Sequence, residues 1–213
     1  VNLVWIALAW MLYGAVHSLL ASTACKNWIA RRWPDAMPAY RLGFNIFAVA
    51  ALLPVLWLVY GTKSDWLWRW TGAWAWLANG LALAAVAGTA VAARAYDMRE
   101  FLGLRQIRQG DRGTADREGF GISGLHRYVR HPWYFLCLVL VWTRDMNAPA
   151  LISALVITLY FIVGSRLEEN KLIASHGEAY REYRQRVPAL LPLPWKRLSV
   201  AEAEALMQRA RHG

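Results

Sequence analysis

Charge is what this chain has least of. Only 18% of its 213 residues are Asp, Glu, Lys or Arg, against about 25% in a soluble domain, and they are bunched between apolar runs. Cysteine is nearly absent. Cys25 and Cys137 are the only two, they fall in or near different apolar stretches, and they offer neither a disulfide framework nor a metal-ligand spacing. The five histidines add no metal set, so none is expected. No repeat, low-complexity tract or long linker divides the chain. Gly119, Gly121 and Gly124 follow no strand and do not form the dinucleotide-binding spacing, which excludes a Rossmann-type site.

What the chain has instead is hydrocarbon. Hydrophobic residues make up 57% of it, with 13 tryptophans. About 20 apolar residues cross about 30 Å of bilayer core, and five spans are predicted, at residues 3–21, 42–60, 73–93, 133–143 and 148–164. The first is too long and too poor in basic flanks for a cleaved signal peptide. The fourth is too short to cross alone. It forms a helical hairpin with the fifth, turned at residues 144–149. Tryptophans between Trp57 and Trp76 read as an interfacial aromatic belt.

Of the 24 Lys and Arg residues, all but Lys63, Arg69 and Arg144 lie in the first connection, the third connection or the tail. The positive-inside rule then places the N-terminus outside and the third connection and tail in the cytoplasm. Small size and compact loops suggest a bacterial inner membrane. The net charge of +10 reads as a surface attracted to anionic lipids, not as a nucleic-acid footprint. The expected fold is an all-α integral membrane protein with five transmembrane helices. Its single membrane domain, residues 1–213, carries a cytoplasmic cap from 94–132 and 165–213.

Within the cap, residues 109–119 are polar and glycine-rich and are expected to be mobile. His176-Gly177 reads as a helix stop, with a second short helix over about 178–186. The prolines Pro188, Pro192 and Pro194 exclude a long helix before Leu198. Residues 200–211 form an amphipathic helix packing on the cap or the membrane surface. His176 and His212 read as solvated.

Two polar clusters flank the hairpin. Arg130-His131-Pro132-Trp133-Tyr134 opens the fourth span, with Pro132 at a helix-start position where its missing N–H costs nothing. Arg166-Leu167-Glu168-Glu169 closes the fifth, followed by Gly177-Glu178-Ala179-Tyr180 and Tyr183. The spans are antiparallel, so Arg130, His131, Tyr134, Arg166, Glu168 and Glu169 converge. Such a set offers cations for a carboxylate, carboxylates for an amine or ribose, and a titratable imidazole. It also suits a snorkelling salt-bridge network. His17, ionisable within the first span, and His126, just before the cluster, are further candidates.

These residues, in this order and with Val187-Pro188, resemble the C-terminal signature of the integral-membrane methyltransferases, which include isoprenylcysteine carboxyl methyltransferase and phospholipid methyltransferases. The signature covers roughly residues 125–192. His17-Ser18, Arg41 and Phe101-Leu102-Gly103-Leu104-Arg105-Gln106 are similar to the methanethiol S-methyltransferase, nurim and NnrU branch. The resemblance implies S-adenosyl-L-methionine as cofactor, held by His126, Arg130, His131, Pro132, Tyr134, Glu169 and Tyr180. Glu169, Arg166 and Glu168 would then serve catalysis, and His17 and Arg105 the substrate.

The implied acceptor is a small thiol or a lipophilic carboxylate or amine reaching the site from the bilayer. Oligomeric state is not indicated. One position departs from the family pattern: where Gly usually follows the motif tyrosine by two residues, this chain has Leu136. A leucine there is expected to narrow or shift the pocket. It keeps open the alternative of a non-catalytic accessory membrane protein of the nurim or NnrU type.

Overall fold

A computed structural model describes residues 2–94, 96–114 and 120–212. The middle of the connector expected to be mobile, residues 115–119 with Gly119, lies outside the described residues, as does the side chain of His212. The described chain is mostly helical: α1 Leu3–Ala21, α2 Thr23–Arg32, α3 Met37–Gly61, α4 Gly72–Ala93, α5 Met98–Leu102, α6 Leu104–Gln109, α7 Pro132–Trp142, α8 Ala148–Arg186 and α9 Val200–His212. Four of the helices, with α3 extended by the preceding turn from Pro34, are long and apolar enough to cross a membrane. The 11 residues of α7 rise only about 16 Å, half of the hydrocarbon core. Where the sequence reading counts five spans, there are four full-length apolar helices and one short one.

Helix ends follow local chemistry. Asn2 Oδ1 accepts from the Val4 N–H to cap α1, and Ser22 Oγ accepts from the Cys25 N–H to cap α2. Asn147 Oδ1 accepts from the Ala150 N–H at the start of α8. The helix expectation needs one amendment. Trp66–Trp68 and Met146–Asn147 form a two-stranded antiparallel ribbon, β1 with β2. Backbone groups in a connection near hydrocarbon need partners, and this pairing supplies them where the sequence suggested only a belt and a turn.

The chain divides into two compact units, residues 1–69 with 96–117 and 145–156, and residues 70–95 with 118–144 and 157–213. In the first, α1 packs on α3. The corner between α5 and α6 lies on the start of α3, with Arg41 donating to the Glu100 carbonyl and Asn45 to the Phe101 carbonyl. Gly103 turns this corner at φ +88°, and a Cβ there would stand 2.5 Å from the Leu42 nitrogen.

In the second unit α4 packs along α7. Leu136 is buried against Gly88, where an added Cβ would meet Leu136 Cδ2 at 2.8 Å. The helical cap has its own core of Ile122, Tyr180, Tyr183, Val187, Leu198 and Leu206, with Phe120 packed on it. Helix α9 contributes Ala203 and Leu206 to this core and leaves Val200 exposed. Helix α8 breaks at Gly177 (φ 53°, ψ −129°), the stop expected there. His176 is not simply solvated. It is half-buried, with its ring 5.5 Å from that of Phe120.

Replacing Gly103 with Ala puts a side chain into backbone at a left-handed φ, which costs about 1–3 kcal/mol. Thermal unfolding in detergent is expected to show a lower midpoint for Gly103→Ala. Gly43→Ala, a helical position with nothing within 4 Å of the new Cβ, is expected to leave the midpoint unchanged or raise it.

Candidate active site

The second unit assembles its site around one buried ion pair. Arg130 stands two residues before α7, and Glu169 lies on α8 beyond its apolar stretch. The Arg130 Nε and Nη2 approach Glu169 Oε1 at 2.8 and 2.7 Å. Both side chains are almost fully buried, at 8% and 6% exposed. Nη1 of Arg130 donates to the carbonyls of Arg184 and Val187. His131 Nε2 lies 3.1 Å from the same Glu169 oxygen, and with that oxygen ionised the imidazole is the donor. One carboxylate thus accepts from two neighbouring residues, as a buried charge requires.

The backbone reinforces the arrangement. The Arg130 and His131 amides donate to the carbonyls of Pro188 and Ala189 at 2.9 and 3.1 Å. Pro132 occupies the first turn of α7 and needs no partner for its nitrogen. The signature residues 130–132 and 187–189 are therefore adjacent strands of one knot.

Burial raises the Glu169 carboxyl, but the hydrogen bonds from His131 and Arg130 and their charges outweigh it and hold it below the usual range. His126 is pushed down to about 4, first by burial and then by the nearby His131. Its Nδ1 is 2.6 Å from Ser123 Oγ, and its carbonyl accepts from the Tyr183 hydroxyl.

The faces of α8 separate the remaining residues. On one, the rings of His131, Tyr134 and Phe161 form a stack. Centroid separations are 5.3 Å from His131 to Tyr134 and 4.5 Å from Tyr134 to Phe161, with planes tilted by 8° and 3°. The Tyr134 hydroxyl donates to Glu168 Oε2 at 3.3 Å, and His131 Nδ1 is 3.5 Å from the same oxygen. Glu168 remains half-exposed.

On the other face a cavity of about 890 Å³ opens, within the ~300–1,000 Å³ typical of small-molecule sites. Ile162, Ser165, Arg166, Glu169 and Asn170 line it from α8. Arg130, Arg184 and the segment Pro188 to Leu191 with Leu193 complete it. Among the described residues, the Arg166 side chain has no carboxylate partner.

Sequence reasoning brought Arg130, His131, Tyr134, Glu168 and Glu169 together, and they do meet. It missed Arg184, Asn170 and the leucine segment. The 162, 165/166, 169/170 spacing of one helical face was a readable signal for Asn170, whereas nothing local marks Arg184. Tyr180 belongs to the cap core and is not among the cavity-lining residues. His126, His131, Pro132, Tyr134 and Glu168 are not among them either, nor is Leu136, which packs with Ala85 and Ala92. Leu136 packs against Gly88 of α4.

His17 and Arg105 belong to the first unit. The His17 ring lies 5.0 Å from Phe44 and 5.9 Å from Tyr13. Arg105 is ion-paired with Glu100 and Asp97 at 3.0 and 3.3 Å, which spends its positive potential locally. No group of metal-ligating side chains occurs among the described residues.

The chain matches the family described as "Protein of unknown function (DUF1295)" over residues 27–187. It is 34% identical to methanethiol S-methyltransferase 2 of Bradyrhizobium diazoefficiens, over 85% of this chain and 70% of that protein. It is 33% identical to the methanethiol S-methyltransferase of Mycobacterium tuberculosis, over 85% of this chain and 75% of that one. A Pseudomonas methanethiol S-methyltransferase is 32% identical, over 85% and 70%. No solved structure matches the chain.

The two depressed groups set an acid limit on stability. Glu169, held ionised, contributes stability above its unfolded value near 4.5 that is lost as pH falls through the folded value. His126, neutral when folded, contributes stability above pH 6.5 that is lost between 6.5 and about 4. Stability is expected to fall from pH 7 to pH 4, by up to about 1.4 kcal/mol per pH unit for each group in its window, and thermal midpoints in detergent to fall with it. His126→Gln is expected to flatten the upper part of that slope. An unchanged slope in the variant would remove His126 from the account.

Proposed function

Since the chain belongs to the integral-membrane methyltransferase superfamily, in the DUF1295 family and with the methanethiol S-methyltransferases, we propose that it is a membrane methyltransferase that uses S-adenosylmethionine to methylate a thiol. The observation that carries this reading is the buried Arg130–Glu169–His131 cluster forming the edge of an 890 Å³ cavity. The lining residues fit the cofactor's chemistry. Arginines suit its carboxylate, Glu169 and Asn170 suit amine or ribose groups, and Pro188 with the leucines offers an apolar surface for a base.

When bound, the cofactor supplies a methyl group on a sulfonium, open to in-line displacement. The acceptor sulfur forms the new S–C bond as the sulfonium C–S bond breaks, and the thiol proton must leave. Glu169 is engaged through Oε1, which leaves its other carboxylate oxygen to bind and orient. The thiol proton passes to water as the acceptor binds in its thiolate form; Glu168, half-exposed on the opposite face of α8 from the cavity, bears on the site only by orienting His131. Arg166, facing the cavity without a carboxylate partner, favours the acceptor as thiolate. Apolar walls limit the water that competes for the site.

On this reading α7 and α8 form the hairpin of a five-span domain. Residues 94–132 and 165–213 make a cytoplasmic cap in a bacterial inner membrane, with the N-terminus outside. The acceptor is a small or lipophilic thiol. The alternative, a non-catalytic accessory membrane protein, would keep the fold without binding the cofactor.

Calorimetry of S-adenosylhomocysteine with detergent-purified protein tests the assignment. Micromolar binding is expected, weakened at least about ten-fold in Glu169→Gln, the range for truncating a hydrogen bond to a charged group. Arg166→Gln is expected to slow methyl transfer to thiols, with the deficit shrinking as pH rises and the free thiol ionises. No binding by monodisperse, cooperatively melting wild-type protein would overturn the methyltransferase reading.

A further inference from the structure

The segment from Val187 to Leu198 is pinned at both ends and thrown outward between them. Val187 and Leu198 are 1% and 0% exposed in the cap core. Leu198 exchanges hydrogen bonds with Arg127, its amide donating to the Arg127 carbonyl and its carbonyl accepting from Arg127 Nε. Pro188 and Ala189 accept from Arg130 and His131. Three prolines stiffen the stretch between, and Leu193 and Lys196 close a tight bridge across its tip.

The tip itself is apolar and basic. Leu191 is 63% exposed and Trp195 76%, and Lys196 and Arg197 are exposed with no ion-pair partner among the described residues. This segment lies outside every helix long and apolar enough to span a membrane. A rigid loop that presents leucine and tryptophan to water gains nothing for its own fold. Its level is fixed by the cavity, where Leu190, Leu191 and Leu193 share the wall with Ile162, a residue of the apolar stretch of α8. The loop therefore stands where that stretch leaves hydrocarbon, at the depth of lipid headgroups. Tryptophan favours that layer, and lysine and arginine beside it favour anionic lipid.

We propose that residues 190–197 are a membrane-surface anchor, with Leu191 and Trp195 inserted among lipids and Lys196 and Arg197 holding anionic phospholipid headgroups. Because the same segment is bonded to the amides of Arg130 and His131, the lipid surface also steadies the wall of the cavity.

Fluorescence quenching in lipid nanodiscs tests this. Full-length protein is placed in phosphatidylcholine discs containing an equal share of either brominated phosphatidylglycerol or brominated phosphatidylcholine. The contribution of Trp195 is the difference between wild type and Trp195→Phe. That contribution is expected to be quenched by both lipids, and several-fold more by the anionic one, since two basic residues enrich anionic lipid on the order of ten-fold. Lys196→Gln with Arg197→Gln is expected to abolish the preference while keeping the quenching. A Trp195 contribution that neither lipid quenches, or that both quench equally in the wild type, would overturn the proposal. The readout needs no cofactor, so its failure is separate from a failure to bind S-adenosylhomocysteine.

Discussion

The pairing of Arg130 with Glu169 is the constraint on which the second unit depends. Each charge alone would be intolerable at this depth, because desolvating an ion costs several kcal/mol. Together, with His131 and the carbonyls of Arg184 and Val187, they satisfy one another. The pair joins the entrance of α7, the polar extension of α8 and the turn that leaves it. Pulling one partner away would strand the other and free three chain segments at once. A site held in this way is preorganised: its donors point at fixed places before any ligand arrives.

Helix α8 then does two jobs with two faces. Its 162, 166 and 169 face lines a cavity with cations and leucines, suited to a zwitterionic guest. Its 161 and 168 face carries the ring stack and the half-exposed carboxylate. Two adjacent glutamates thereby acquire different characters. Glu169 is held in the interior by Arg130 and His131, while Glu168 stays half-exposed on the other face.

Much of this was legible in the sequence, for physical reasons. Runs of 19 to 25 apolar residues in α1, α3 and α4 announce helices in hydrocarbon without any knowledge of partners. Gly177 declares a break by its freedom at positive φ, and the prolines after Val187 forbid helix. The meeting of Arg130 with Glu168 and Glu169 followed from hairpin geometry alone. The ribbon between Trp66 and Asn147 did not, because pairing between segments far apart leaves no local periodicity. Arg184 was invisible for the same reason. It reaches the cavity only through the turn at Gly177, whose angles no pattern of neighbours encodes. The seat of Leu136 was equally hidden, because its counterpart, Gly88, stands 48 residues earlier in the chain.

That counterpart makes the contact a key. With no side chain at 88, the α4 backbone leaves a notch that Leu136 fills. A Cβ added at 88 would meet Leu136 Cδ2 at 2.8 Å, and mass removed at 136 would leave a void. Moving α7 by one turn would bring the leucine against a residue that has a side chain, so the notch fixes the sliding position of the two helices.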